Sequence, residues 1–241
     1  MNANPTSDDK TAFLVPSTTR NRNWGCVEDT YLYNTLLRTL DKSCPDIDIC
    51  VFVGYDENDA IYSKEEERMK VNATFMKFRV EWIPFKPDPG NVVAVWNGLF
   101  KVAMGEGYEW FKVLGDDIRL PNDPYWLKLF QKQLKKQKYI GWAAGYSNNT
   151  EIATQFLIHK THWDIFEFVF PPQIKNYFCD DWLHNIYPQQ YRYWRQDYPL
   201  LNTGGEPRYI PLNDKKLCEM LLRRHKRGLS EFLNRMEKIK R

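Results

Sequence analysis

Phe111-Lys112-Val113-Leu114-Gly115-Asp116-Asp117-Ile118 is the stretch on which the reading of this chain turns. Phe111 to Leu114 has the apolar continuity of a buried strand. It ends abruptly in two adjacent carboxylates, where the backbone leaves the core. Like charges side by side repel, so a fold tolerates such a pair best where a cation neutralises it. Hard divalent cations take oxygen ligands and are commonly held by one or two carboxylates together with substrate phosphates. A plain turn at the strand exit is the competing reading, because Asp favours such turns.

Working outward, similar units surround the stretch. Ala12-Phe13-Leu14-Val15 is an apolar run that ends in Pro16-Ser17-Thr18-Thr19-Arg20. A helical pattern follows over 28–40, with Tyr33, Leu36, Leu37 and Leu40 on one face. Ile47 to Gly54 reads as a strand leading into Tyr55-Asp56-Glu57, Ser63 to Lys70 as an exposed helix, and 77–84 as another strand. Pro89-Gly90-Asn91 opens a helix with Val92, Trp96, Leu99, Phe100 and Ala103 on one face. Strands alternating with helices imply an α/β fold with a mainly parallel central sheet. Ligands of such sheets lie outside the carboxyl ends of the strands. Ser17 to Arg20, Tyr55 to Glu57 and Asp116-Asp117 all follow strands and should converge on one crevice.

The second half is less regular. A helix is expected over 125–136, strands over 140–146 and 155–159, and a short helix capped by Thr161. Phe170-Pro171-Pro172 breaks that helix. A second acidic pair, Cys179-Asp180-Asp181-Trp182, opens another. The segment 187–208, rich in Tyr, Gln, Pro and Gly, reads as a loop. No linker is evident, so one domain is expected over 12–241 after a disordered lead-in, 1–11. Its parts are 12–120, 121–212 and a basic helix over 213–241.

Composition narrows the class. The 241 residues carry a net charge of only +3, which argues for no nucleic-acid partner. The polar N-terminus has no signal-peptide pattern, and no run of 18 apolar residues exists. Five cysteines without a C-x-x-C pair suit a reducing compartment. A cytoplasmic location is therefore expected, and the sequons at Asn72 and Asn148 carry no weight. The tail from Arg223 to Arg241 holds eight Lys/Arg against two Glu, with Leu229, Phe232, Leu233 and Met236 at helical spacing. Docking on its own domain is favoured over lying on an anionic membrane.

The order of parts resembles a GT-A fold glycosyltransferase of the family 2 type, the nucleotide-diphospho-sugar transferase fold. The likeness covers about 12–187. Pro89 through Glu109 is similar to that family's approach to its metal site: a helix, then Gly-Glu-Gly-Tyr-Glu, then an apolar strand. Asp116-Asp117 stands where the family has its D-x-D or D-D motif. Cys179-Asp180-Asp181-Trp182 resembles the later motif that supplies the base in inverting members. Small glycosyltransferase domains of large algal viruses share the compact size. One departure is that Gly115 precedes the pair, so a strict D-x-D is absent. No Q-x-x-R-W signature of processive synthases occurs, which points to transfer of a single sugar.

The resemblance implies Mn²⁺ or Mg²⁺, a nucleotide-sugar donor with a UDP-sugar as first choice, and a glycan or other hydroxyl acceptor. Asp117 is the expected direct metal ligand, with Asp116 touching metal-bound water or sugar. Asp181, or Asp180, is the expected base. To be useful at a helix N-terminus it would need desolvation by Trp182 and Tyr177. Simple helix capping is the alternative role of this pair. Thr18, Thr19 and Arg20 are candidates for the nucleotide, with Arg20 or Arg22 on a phosphate. Asp56 is a candidate for the ribose or base, and Asn97 and Lys101 for diphosphate or sugar. His184 is a candidate supporting residue, and Trp142, Trp163 and Trp182 are candidate stacking platforms. Two other functions compete. A sugar-phosphate nucleotidyltransferase would want a glycine-rich loop after the first strand, and 16–20 has no glycine. A non-catalytic carbohydrate-binding protein leaves the acidic pairs unexplained.

Overall fold

The computed structural model describes residues 10–205 and 208–238. The expected lead-in lies outside the described residues apart from Lys10 and Thr11, and Thr11 already opens the first strand. Strands β1 (Thr11–Pro16) and β2 (Ile49–Asp56) are buried almost throughout, the mark of strands covered on both faces. Their side chains alternate between two cores. Ala12, Leu14, Cys50 and Phe52 face one, and Phe13, Val15, Val51 and Val53 face the other.

Seven strands form one sheet in the order β3-β2-β1-β4-β7-β6-β8. Added to β1 and β2 are β3 (Arg79–Phe85), β4 (Trp110–Val113), β6 (Trp142–Tyr146), β7 (Leu157–His159) and β8 (Arg192–Pro199). The first four positions are mutually parallel, β7 runs antiparallel to both β4 and β6, and β8 is parallel to β6. The fold is thus α/β with a mostly parallel sheet. A two-stranded ribbon pairs β5 (Ile118–Arg119) with β9 (Leu201–Asn202), Ile118 opposite Asn202.

Helices cover both faces. α2 (Glu65–Thr74) and α4 (Trp126–Lys136) lie on one side, with a π-helical segment, Leu32–Leu37, that runs into α1 (Arg38–Lys42). The other side holds α3 (Val92–Gly105), α5 (Thr161–Phe166), α6 (Cys179–Ile186) and α7 (Lys215–Lys238). Asn91 caps α3, its side chain accepting from Ala94 N at 3.2 Å. Two local expectations are corrected. The segment 187–208 is not a loop, because β8 and β9 lie within it. The polar sequence Arg192–Pro199 hides β8 because an edge strand needs no continuous apolar face. Thr161 does not cap α5. It sits in the first turn, its Oγ1 2.8 Å from His159 Nδ1. In α7, Cys218, Leu221 and Leu229 are buried and Phe232 and Leu233 partly so, while Arg223, Arg224, Lys226 and Arg227 are exposed. No described helix is long and apolar enough to cross a membrane.

Candidate functional site

The carboxyl ends of β1, β2 and β4 open into two adjoining cavities. The smaller, about 100 Å³, is lined by Thr18, Arg20, Gly54, Asp56, Gly90 and Val95 among others. The larger, about 820 Å³, holds both acidic pairs, Asp116-Asp117 and Asp180-Asp181. Pro16, Val92, Arg208 and Tyr209 line both and mark where one passes into the other.

Local chemistry fixes the first pair. Trp96, on α3, donates Nε1–H to Leu14 O at 3.3 Å and lies 3.2 Å from Leu114 O, bridging the ends of β1 and β4. Gln155 accepts from Gly115 N at 3.1 Å. Gln155 is itself held in a left-handed conformation, φ 56°, and its carbonyl accepts from Lys112 Nζ. Lys112 is fully buried against the faces of Trp126 and Phe130, and burial pushes its ammonium pKa well down.

Asp116 is wholly buried. Ser17 Oγ donates to its Oδ2 at 2.6 Å. Arg208 Nη1 donates to the same oxygen at 2.6 Å, and Nη2 donates to Oδ1, a bidentate pair. The second Arg208 contact is Thr18 O, at 3.0 Å from Nη1. Asp117 is placed differently. Its nearest cation is Arg208 Nη2 at 3.9 Å, and its carboxyl is pushed up to about 6 by burial and by the charge of Asp116, against the pull of Arg208.

Arg208 arrives by way of the β5–β9 ribbon. Thr203 N donates to Asp117 O at 3.0 Å. The chain then passes so near the acidic pair that a Cβ on Gly204 would meet Asp117 Oδ2 at 2.0 Å, so only glycine fits. Arg22 donates to Gly204 O at 3.3 Å and Asn21 to Arg208 O at 3.3 Å. Buried Asn176 donates to Gly90 O at 2.7 Å and accepts from Leu212 N at 3.0 Å. The strap thus ties the start of α3 to the approach to α6.

The second pair stands in the first turn of α6, and neither residue caps it. The N-cap is Phe178, at φ 71°, with no side-chain cap bond. Among the described residues neither aspartate has an ion pair within 4.0 Å. Burial, then the charge of Asp181, raises Asp180 to about 7, and burial raises Asp181, with Lys215 opposing. Of the two aromatic neighbours, Trp182 stands away from the cavity. It is fully buried and turned into the core against Phe166 and His225, and does not line the cavity, whereas Tyr177 does.

The other candidates divide. Thr18, Arg20 and Asp56 line the smaller cavity, and Arg20 Nη2 donates to Asp56 Oδ2 at 2.9 Å. Thr19 is turned inward, its N and Oγ1 both donating to Asp59 at 2.8 Å. Asp59 also accepts from Ile61 N and Tyr62 N and organises this corner. Asn97 lines neither cavity. Its amide donates to Phe170 O at 2.8 Å and accepts from Val169 N and Phe170 N, so it is spent on closing a backbone turn. Lys101 also lies off the cavities, its Nζ 5.8 Å above the Trp163 ring. Trp142 is core, and His184 accepts from Ala153 N at 2.9 Å through Nδ1, a supporting contact behind the cavity wall. Arg208, Tyr209 and Asn176 were not marked by the sequence, and Ser17 only as part of the strand exit over 17–20. Gly204-Gly205 is the one signal that an arginine nearby would meet a tight backbone approach.

The residues fit a divalent ion at Asp117 but not at Asp116. Both oxygens of Asp116 are occupied, whereas Asp117 faces the cavity with its charge only partly compensated. Among the described residues no cluster of three or more His, Cys, Asp or Glu exists. An ion at Asp117 would take its other ligands from substrate phosphates and water, as Mg²⁺ commonly does.

The comparisons with known proteins agree with this architecture. A cytidylyltransferase from Leptospira borgpetersenii serovar Hardjo-bovis superposes with a TM-score of 0.51 at 11% identity, covering 79% of this chain and 77% of that one. The mannosyltransferase PcManGT from Pyrobaculum calidifontis, solved with GDP-Man and Mn²⁺, gives 0.52 at 10% identity. The match covers 82% of this chain and 58% of the mannosyltransferase. The chain has the fold of the nucleotide-diphospho-sugar transferases. A glycosyltransferase involved in the glycosylation of the major capsid of PBCV-1 also matches, over 88% of this chain and 99% of that one at 10% identity, but at a TM-score of 0.42 it carries no weight. No protein-family model and no curated protein sequence matches the chain.

Proposed function

We propose that the chain is a glycosyltransferase that moves one sugar from a nucleotide-diphosphate donor, a UDP-sugar as first choice, to a hydroxyl acceptor with inversion. One observation carries the reading: a single cavity holds one acidic pair anchored by an arginine and a second pair with no ion pair within 4.0 Å among the described residues. Acid groups set to opposite tasks are what a leaving diphosphate and an attacking hydroxyl require.

The smaller cavity takes the nucleoside, with Asp56 and Thr18 at its wall. A Mn²⁺ or Mg²⁺ ion held by Asp117 would supply Lewis-acid stabilisation of the diphosphate. Asp180, rather than Asp181, is the base, because its carboxyl is raised to about 7 and so binds a proton usefully near neutrality. As the acceptor oxygen attacks the anomeric carbon, its proton passes to Asp180. The bond from that carbon to the phosphate oxygen breaks, and its electron pair leaves with the diphosphate.

Thermal stabilisation by a panel of UDP-, GDP- and CDP-sugars, with Mn²⁺ and with chelator, tests the reading. A donor that stabilises in Mn²⁺ and yields free nucleoside diphosphate on transfer supports it. Stabilisation by a nucleoside triphosphate with sugar phosphate, releasing pyrophosphate, would replace it with nucleotidyl transfer. Stabilisation by free sugar alone would leave a carbohydrate-binding protein.

A further inference from the structure

We propose that Arg208 grips the diphosphate of the donor and that Asp116 is the residue that positions it, an assignment that rests on the glycosyl-transfer reading above. Arg208 is one of four residues shared by the two cavities, with Pro16, Val92 and Tyr209. A nucleoside in the smaller cavity and a sugar in the larger must be joined by phosphates at that junction. Arg208 supplies the one cation among those four residues.

The guanidinium is prepared for this role. Asp116 holds both Nη atoms and Thr18 O holds one of them again, so the planar fork cannot rotate freely. Its side chain is only 14% exposed, so little water screens it. An arginine cannot shed its proton at any ordinary pH. The charge therefore stays where the strap puts it. Asp116 is taken up in anchoring Arg208, so the carboxylate left for a divalent ion is Asp117. The ion and the arginine then approach the diphosphate from two sides, Asp117's side and the strap's side. When the anomeric carbon–oxygen bond breaks, the pair left on the phosphate oxygen meets a fixed donor rather than mobile water.

Binding of the nucleoside, its monophosphate and its diphosphate tests the assignment by calorimetry, each in Mn²⁺ and in chelator. Arg208→Gln should lose about ten- to a hundred-fold in diphosphate affinity under both conditions, with nucleoside affinity unchanged. Arg208→Lys should restore part of the loss. Removing Arg208 alone leaves Asp116 buried without a counter-charge, so the double variant D116N/R208Q, which removes both charges, is measured beside it and should show the same selective loss. An equal loss for nucleoside and diphosphate in the folded double variant would reduce Arg208 to a structural strut and overturn the proposal. Unchanged diphosphate affinity would overturn it as well. If the wild-type chain binds none of the diphosphates, the glycosyl-transfer reading itself falls.

Discussion

Asp116-Asp117 and Asp180-Asp181 are the same dipeptide in the same cavity, yet the fold treats them in opposite ways. The first follows a strand whose end is bolted to its neighbours by Trp96 and Gln155, and a cation is brought to it across 92 residues of sequence. The second opens a helix and receives no such partner. Placement of counter-charge, not residue identity, decides whether a carboxylate becomes an anchor or a proton acceptor.

The sharpest way to break this contrast is Asp180→Asn. Turnover should fall about 10²–10⁴-fold while donor affinity stays near the wild-type value, measured by steady-state kinetics and calorimetry. If Asp181→Asn is the dead variant instead, the contrast survives and the base moves by one residue. Product NMR should show an inverted anomeric centre; retention would remove the second pair from this role.

Stability can be used to separate the two pairs. α6 leans on α7, and Leu221 of α7 is 1% exposed, in the same buried cluster as Trp182 and Leu183 of α6. Leu221→Ala should cost about 2–5 kcal/mol in chemical denaturation. Phe232 is only partly buried, so Phe232→Ala should cost less than the 3–5 kcal/mol or so of a fully buried ring. Reversing Arg223, Arg224, Lys226 and Arg227 together should leave stability and vesicle binding unchanged, because these side chains are exposed beside a docked apolar face.

At the first pair, Asp117→Asn should weaken Mn²⁺-dependent nucleoside-diphosphate binding by at least about tenfold, the order seen for lost metal partners. The melting temperature without metal should hold or rise, because the native fold already disfavours that charge. Equal affinity in wild type and variant, with or without chelator, would take the metal away from Asp117.

The smallest effect is a pH slope. Asp117 and Asp180 hold protons to about 6 and about 7 in the folded chain, against about 4 when unfolded. Each of these two carboxyls therefore contributes stability that is lost as pH rises from about 4 through its folded value, whereas His159, His162 and His184, lowered to about 4 by burial, contribute stability that grows from about 4 to 6.5. In melts taken without metal, Asp180→Asn should therefore gain stability relative to wild type as pH rises from about 4 to 7. A difference between variant and wild type that does not grow over that range would mean that the second pair is compensated after all.

Much of this fold was legible because most of its strands are two-sided and apolar. Val51, Phe52 and Val53 leave no other reading, and the three strand ends that open into the cavities could be aligned from sequence. Strand β8 was not legible, because an edge with Arg, Gln and Asp looks like a loop until β6 is beside it. Asn97 misled for a related reason. On a helix wheel it faces outward, and only the later turn at 169–170 shows that its amide is needed there. The Arg208–Asp116 pair leaves no periodic trace, since it depends on a ribbon of two short strands.

That ribbon also sets an order of events during synthesis. The acidic pair leaves the ribosome 92 residues before its counter-charge. At roughly 5–20 residues per second this is a wait of about 5–18 seconds. Through it β1, β2, β3 and β4 can pair while the rim of the sheet stays electrically unfinished. The last third of the chain is therefore a closing clasp as well as a cavity wall, and completion of the site coincides with completion of the fold.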